Sequence, residues 1–505
     1  MSRINTNVTS LIAQRILNSN QGGLSTALER LSTGLKINRG KDDPAGLIAS
    51  ENLRSEIKAT NAAISNADRG DQVVNIAEGG LQEVSSLLTE LQGLITTTAS
   101  QAGLSMEERQ ANQLQIDSIL QTIDRISAAT SFQGIKLLNG NFDFQVSGVA
   151  AGVSDYRVNA AKYGEAAMGV NVLVTQSAQQ GGLYLSYGAT ALDLGGANSQ
   201  FVIEIGGSLG TRQLTFSSGT SLDSIADAIN TFTNVTGVEA QVSGTGLKLE
   251  SSDFGSSEYV SVKIADDGGI GSASNIGVYT LNANDFNTAS TAINSTFANS
   301  SNAVTDWGVD VAATINGINA TSSGRTARIN TDFLDVEVTL DTSTSQTLGN
   351  VGTSNAFSIT GGGASFQLAG RVDIAGSVSL GIQNVAIRNL GNAVVGTLDE
   401  LGNGRSMNVV TGDLTDAQKV VDEAVKQVSA LRGRLGAFQK NTIGATIRSL
   451  GVAVENTSAA QSVIRDADFA SETASLTRNQ ILVSAATNIL SLANTQPQTV
   501  LQLLG

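Results

Sequence analysis

The sequence predicts a multidomain α and α+β protein, with long helical coiled-coil or bundle domains formed by both termini and a β-rich outer region inserted between them. Two observations carry that prediction. Apolar residues recur at three-and-four spacing toward each end of the 505-residue chain. The long middle loses that period and reads as short strands separated by Gly, Ser, Thr and Asn.

At the N-terminal end Leu24, Leu28, Leu31 and Leu35 step by four, three and four, the spacing of a helix–helix seam. Gly22-Gly23 is expected to divide this segment into two helical pieces. Residues 38–46 read as a charged loop in which Asp42 or Asp43 serves as N-cap and Pro44 takes the first helical position. A long helix then runs to about Gln101, with Leu81, Val84, Leu88, Leu91 and Ile95 along one face. Its Gly70, Gly79, Gly80 and Gly93 cost up to ~1 kcal/mol each relative to Ala, which points to close packing or bending. Ser105 with Glu108 forms a capping box that starts another helix, striped by Ile116, Ile119, Ile123 and Ile126.

Strands follow. Residues 136–138 and 142–146 flank Asn139-Gly140-Asn141 as a hairpin-like turn. Alternating runs at 201–205 and 336–340 read as strands, as do 239–242, 247–250 and 260–264, and a helix over 221–232 completes a compact α+β unit. Helix is expected to return near Ser377, and a long C-terminal helix to begin near Leu414 under Thr415 or Asp416. Its stripes are Val421, Val425, Val428, Leu431, Leu435 and Phe438, then Ile447, Leu450 and Val454, then Leu482, Ala485, Ile489 and Leu492. Any one stripe suits an ordinary core helix about as well as a coiled-coil seam. Stripes at both ends, largely without prolines, favour a long bundle. The expected divisions are a terminal helical domain over 1–44 pairing with 465–505, a rod with a β-hairpin over 45–175 pairing with the helix of 400–464, and an outer insertion over 176–399 holding an α+β motif at 201–264.

Composition narrows the function classes. A net charge of −15 with no dense Lys/Arg cluster argues against a nucleic-acid partner. With no Cys and no His, thiol and imidazole nucleophiles, ordinary zinc sites and disulfides are excluded. No apolar run approaches the roughly 18 residues of a membrane span. The first seven residues, MSRINTN, show no apolar core or cleavage site of a secretory signal, so an extracellular destination requires another export route. Aromatics make up 4% of the chain, so cores are thin and burial between subunits is expected to supply part of the order.

Candidate chemistry is weak. Asp42-Asp43 reads better as a helix cap than as an acid–base pair. The oxygen side chains of Asn139, Asn141 and Asp143 lack the glycine and distal Glu of a calcium loop. Gly268-Gly269-Ile270-Gly271 lacks the spacing of a nucleotide fingerprint and reads as a surface loop. The Leu482–Ala485–Ile489–Leu492 stripe lacks the basic flank of a membrane-surface helix, so a partner helix is preferred. No catalytic, cofactor-binding or metal residue is assigned. The classes in contention are a structural filament subunit, a secreted coiled-coil adhesin and a hydrolase, the last without convergent polar groups.

Residues 27–38 (ALERLSTGLKIN) and 41–46 (KDDPAG) resemble the N-terminal signature of bacterial flagellin. Residues 464–472 (IRDADFASE), through Ile481-Leu482 to Asn494, Pro497 and the VLQLL of 500–504, are similar to that family's closing helix. Residues 221–230 and 236–240 resemble its IN insertion motif. The resemblance implies a non-enzymatic structural subunit, without cofactors, that self-assembles into the flagellar filament used for swimming. Paired terminal helices would line an inner tube, with Leu24, Leu28, Leu31, Leu35, Leu482, Ile489 and Leu492 in the assembly interface. It further implies a homopolymer outside the cell, export through the flagellar type III apparatus with an export chaperone and no cleaved signal peptide, and hook-associated and cap proteins as partners. Hook–filament junction proteins share the terminal design and are the nearest alternative. In enteric flagellins an Arg on the long helix and a Glu on the next contribute to recognition by a vertebrate innate immune receptor. The aligned positions here are Glu90 and Gln115, with Leu94 retained, which implies weak or absent receptor activation.

Overall fold

The computed structural model describes residues 6–100, 103–163, 167–196, 199–270, 276–282, 285–289 and 294–504. Nine α-helices occur among them: α1 (Val8–Thr33), α2 (Pro44–Thr98), α3 (Met106–Ala129), α4 (Leu222–Asn230), α5 (Thr233–Thr236), α6 (Thr342–Gln346), α7 (Leu414–Ala437), α8 (Gly444–Arg465) and α9 (Phe469–Leu504). The chain divides into two compact units, one within residues 1–74, 366–377 and 436–505, the other within 75–365 and 378–435.

In the first unit α1 and α9 run antiparallel. Asn7 Nδ2 donates to the Ala493 carbonyl at 2.8 Å and Arg30 reaches Glu472 at 2.9 Å. Beyond α1 the backbone N–H of Lys36 donates to Arg465 O at 2.7 Å, and that of Ala467 to Gly34 O at 2.9 Å. The break expected at Gly22-Gly23 does not occur, and α1 passes straight through it. A Cβ at Gly23 would lie 3.1 Å from Asn479 Nδ2, so this glycine serves close approach of the two helices. Asp43 caps α2, its Oδ1 accepting from the Gly46 N–H at 2.9 Å, with Pro44 in the first position. Asp42 accepts from the N–H groups of Asn38 and Arg39 at 3.2 and 2.8 Å, and the Arg39 bond leads in holding its carboxyl below the usual range.

The helical part of the second unit follows the predicted stripes. Leu81, Val84, Leu88, Leu91 and Ile95 of α2, Ile116, Ile119 and Ile123 of α3, and Val421, Val428, Leu431 and Leu435 of α7 are buried, while Ile126 and Val425 are half-buried. The capping box forms: the Ser105 N–H donates to Glu108 Oε2 at 2.7 Å and the Glu108 N–H to Ser105 Oγ at 3.2 Å. Helix α7 starts where expected, but under Asp413, which accepts from the N–H groups of Thr415 and Asp416 at 2.8 and 3.4 Å. The predicted caps Thr415 and Asp416 are therefore donors inside the first turn. Helix α2, expected to run to about Gln101, ends at Thr98, and Gln101 itself lies outside the described residues.

Three other expectations are corrected. The hairpin lies earlier than Asn139-Gly140-Asn141: Ser131–Phe132 pairs with Ile135–Lys136 around Gln133 and Gly134, whose φ values are 50° and 85°. Leu137 and Leu138 are both buried, so strand alternation cannot continue, and Phe144–Ser147 pairs instead with Phe357–Gly362. Helix does not return at Ser377, where Ser377–Leu380 is a strand, and no rod helix begins at 400. Between these points Gly391 and Gly396 sit at φ 114° and 98°, in a short strand pair incompatible with helix. Finally, β structure is well established before residue 176. Val153–Ala161 pairs antiparallel with Leu334–Leu340, and Val172–Gln176 with Ala312–Ile315.

These strands enclose one core, with Val158, Val172, Val174, Ile315, Val336, Val338, Phe357 and Ile359 inside. A second core, with Phe201, Ile203, Ile205, Leu222, Ile225, Ile229, Leu247, Val260 and Val262, is built from α4 and two further sheets. The Oγ of Ser221 caps α4 by accepting from the Ser224 N–H at 3.2 Å. The second module is inserted in the first, because the chain leaves and returns at Gln179 and Val309, which form an antiparallel bridge.

Candidate assembly interface

Helices α1 and α9 meet over alanines. Among the described side chains of this pair, Ala13, Ala27, Ala486 and Ala493 are the buried ones. Small side chains on heptad multiples let two backbones approach closely. Val8, Leu11, Ile12 and Ile16 of α1 and Ile481 and Leu482 of α9 are exposed, and Ile489 and Leu492 are 59% and 66% exposed.

The leucines expected to form the helix–helix seam, Leu24, Leu28, Leu31 and Leu35, are not among the buried residues of the pair. Leu28 is half-exposed and the other three are half-buried. The alanines were missed because a small residue carries little signal in an apolar period, although their heptad spacing was available. Ala13, Ile16, Asn20, Leu482, Ala486 and Ile489 line an apolar groove of about 110 Å³ between the helices. Helix α8 has no buried residue, and its Ile447, Leu450 and Val454 are half-exposed.

An ion pair joins α1 to α9. Arg30 and Glu472, 2.9 Å apart, are both largely shielded from solvent. Arg465 meets Glu51 at 2.7 Å. Glu90 on α2 and Gln115 on α3 are exposed and Leu94 is half-buried. No acidic cluster among the described residues could hold a metal ion, and none of the described helices is long and apolar enough to cross a membrane. Gly268 and Gly269 turn at positive φ, while Gly271 lies outside the described residues.

Terminal helices that meet over alanines, with exposed leucine and isoleucine along both, define a subunit whose apolar surface is completed by other subunits. The comparisons give that class its family. Residues 4–143 match the bacterial flagellin N-terminal helical region, 418–504 the C-terminal helical region, and 200–253 the flagellin hook IN motif. B-type flagellin of Pseudomonas aeruginosa is 30% identical over 99% of both chains. Flagellin A of Helicobacter pylori is 27% identical, and a flagellin of Salmonella choleraesuis 28%, each likewise over 99% of both chains. The chain belongs to the bacterial flagellin family. It is a structural subunit that forms the flagellar filament as a homopolymer outside the cell.

Proposed function

We propose that Leu24, Leu28, Leu31 and Leu35 of α1, with Leu482, Ile489 and Leu492 of α9, form the contact between neighbouring subunits in the filament's inner layer. The observation that supports this is the exposure of Ile489 and Leu492 on a helix whose buried contacts to α1 are alanines. Fully burying one Leu or Ile contributes about 1.5–3 kcal/mol, and in a polymer that gain recurs at every subunit. The experiment compares Ile489→Asp and Ile489→Leu. Both monomers should melt like the parent, whereas only Ile489→Leu should polymerise, as seen by negative-stain microscopy. Normal filaments from Ile489→Asp would remove α9 from the interface.

The subunit travels unfolded through the flagellar type III apparatus, with an export chaperone and without a cleaved signal peptide. The absence of cysteine supports this route, since no disulfide can lock the chain before passage. Hook-associated and cap proteins meet the filament ends through the same terminal helices. The role is structural and not catalytic: the acidic pair Asp42 and Asp43 is engaged by backbone N–H groups. Glu90 and Gln115 present no cation–carboxylate pair to an innate immune receptor, so receptor activation is weak.

A further inference from the structure

The inserted module has a four-stranded sheet with one open face. Its strands lie in the order Val304–Trp307, Tyr259–Asp266, Gln200–Gly207, Gly210–Ser217. One side of this sheet carries Val260, Val262, Ile203 and Ile205 into the core. The other side is open. On it Trp307, the one tryptophan of the chain, is 58% exposed and stands opposite Tyr259, the ring centroids 4.7 Å apart. Asp306, the preceding residue, points the other way, accepting from the Gly182 N–H at 2.9 Å.

Beside the rings the next row reads Thr305, Ser261, Gly206, Thr211 across the four strands. Thr305 Oγ1 lies 3.0 Å from Ser261 Oγ. At Gly206 a Cβ would stand 2.9 Å from Thr211 Cγ2, so the Thr211 methyl lies over this glycine. The following row holds Lys263, Glu204 and Gln213, the first two paired at 3.4 Å.

We propose that this face binds carbohydrate, taking neutral pyranose units of a polysaccharide. A pyranose presents a flat face of C–H groups rimmed by hydroxyls. It needs an aromatic face, which the exposed Trp307 ring, packed at a 42° tilt on Tyr259, supplies, and uncharged donors and acceptors beside it, which Thr305, Ser261, Thr211 and Gln213 supply. Lys263, the cation of this face, is paired with Glu204, which suits a neutral ligand and disfavours an anion. A protein partner would require an apolar centre wider than two rings. The inference concerns the monomer as well as the filament and does not depend on the assembly contacts above.

Because Trp307 is the one tryptophan, the emission of the full-length protein reports on this face alone. Monomer is titrated with cellohexaose and with N-acetylchitohexaose. The expected result is a saturable blue shift or quenching with at least one of them, weakened roughly tenfold in Tyr259→Ala by loss of aromatic stacking. Gln213→Ala, at an exposed position outside the core, should weaken binding several-fold with an unchanged circular-dichroism spectrum. No saturable response to either sugar overturns the proposal, and so does an undiminished response in Tyr259→Ala. A shift of Trp307 emission on polymerisation without sugar also overturns it, since a neighbouring subunit would then cover the face.

Discussion

Gln179 and Val309 exchange both backbone hydrogen bonds, at 2.8 and 2.9 Å, so the chain leaves one β module and re-enters it at a single point. The described residues between these two build a core of their own. The first β module takes none of its buried core residues from them, although Phe254 packs against that core, under the Arg325 guanidinium.

Excision at this point should therefore be tolerated. Removing residues 181–308 and closing the gap with a short Gly-Ser linker adds little loop entropy, because the ends already meet. The shortened subunit should unfold cooperatively in urea and still form filaments. Removing 176–365 instead deletes Leu334–Leu340, the partner of Val153–Ala161, and should yield aggregates. Equal recovery of filaments from both deletions would show that the strand pairing does not matter.

Gly79 and Gly80 are neighbours in α2 with opposite surroundings. A Cβ at Gly79 meets nothing within 4 Å, while at Gly80 it would lie 2.8 Å from Thr130 Oγ1 and 2.9 Å from Leu138 Cδ1. Gly79→Ala should stabilise the monomer by about 0.5–1 kcal/mol through helix propensity. Gly80→Val should destabilise it by about 1–3 kcal/mol through overpacking. Urea midpoints of the two variants, on opposite sides of the parent, are the check.

The alanine seam predicts that size, not polarity, is what α1 and α9 fail to tolerate there. Ala486→Leu should part the helices at a cost of about 1–3 kcal/mol. Thermal circular dichroism should show loss of helix at lower temperature, with assembly reduced in step. Unchanged melting would mean that α1 and α9 do not pair through Ala486 in solution.

Acid stability should have two opposing components. The N–H groups of Thr415, first, and Asp416 hold the Asp413 carboxyl below the usual range. Its contribution is therefore present above the unfolded carboxylate range, about pH 4, and lost as pH falls through the depressed value. Burial lifts Asp155 above that range, outweighing the Arg157 guanidinium 3.6 Å away. Its contribution has the opposite sign, favouring the fold at low pH and declining as pH rises through the raised value. Asp413→Ser, which keeps an uncharged cap, should flatten the acid loss of stability. Asp155→Asn should remove the decline above it, read from urea midpoints between about pH 3 and 7.

Glu90→Arg with Gln115→Glu should raise the response of an innate-receptor reporter cell. Losing one partner of an interface-centre charge pair typically costs about 2–5 kcal/mol, so restoring the pair should recover roughly thirtyfold or more in affinity. Full activity of the unaltered monomer would show that these positions do not govern recognition.

The helices of both ends, the Ser105–Glu108 box, the helix near 221–232 and the Leu81-to-Ile95 stripe were legible because each is written in residues within a few turns of one another. Periodicity and capping are local chemistry, and they determined that this is a long helical subunit carrying a β-rich insertion. The flagellin signatures at the termini determined its family in the same local way. Tertiary structure alone decided that Val153–Ala161 belongs with Leu334–Leu340, that one β module is nested in another at Gln179 and Val309, and that α1 meets α9 over Ala13, Ala27, Ala486 and Ala493. Strand partners far apart in sequence are chosen by which burial repays loop closure, and that balance is not contained in either strand. An apolar stripe states only that something must cover it. Whether the cover is a helix of the same chain or of the next subunit depends on which side chains are small enough to let the first helix in.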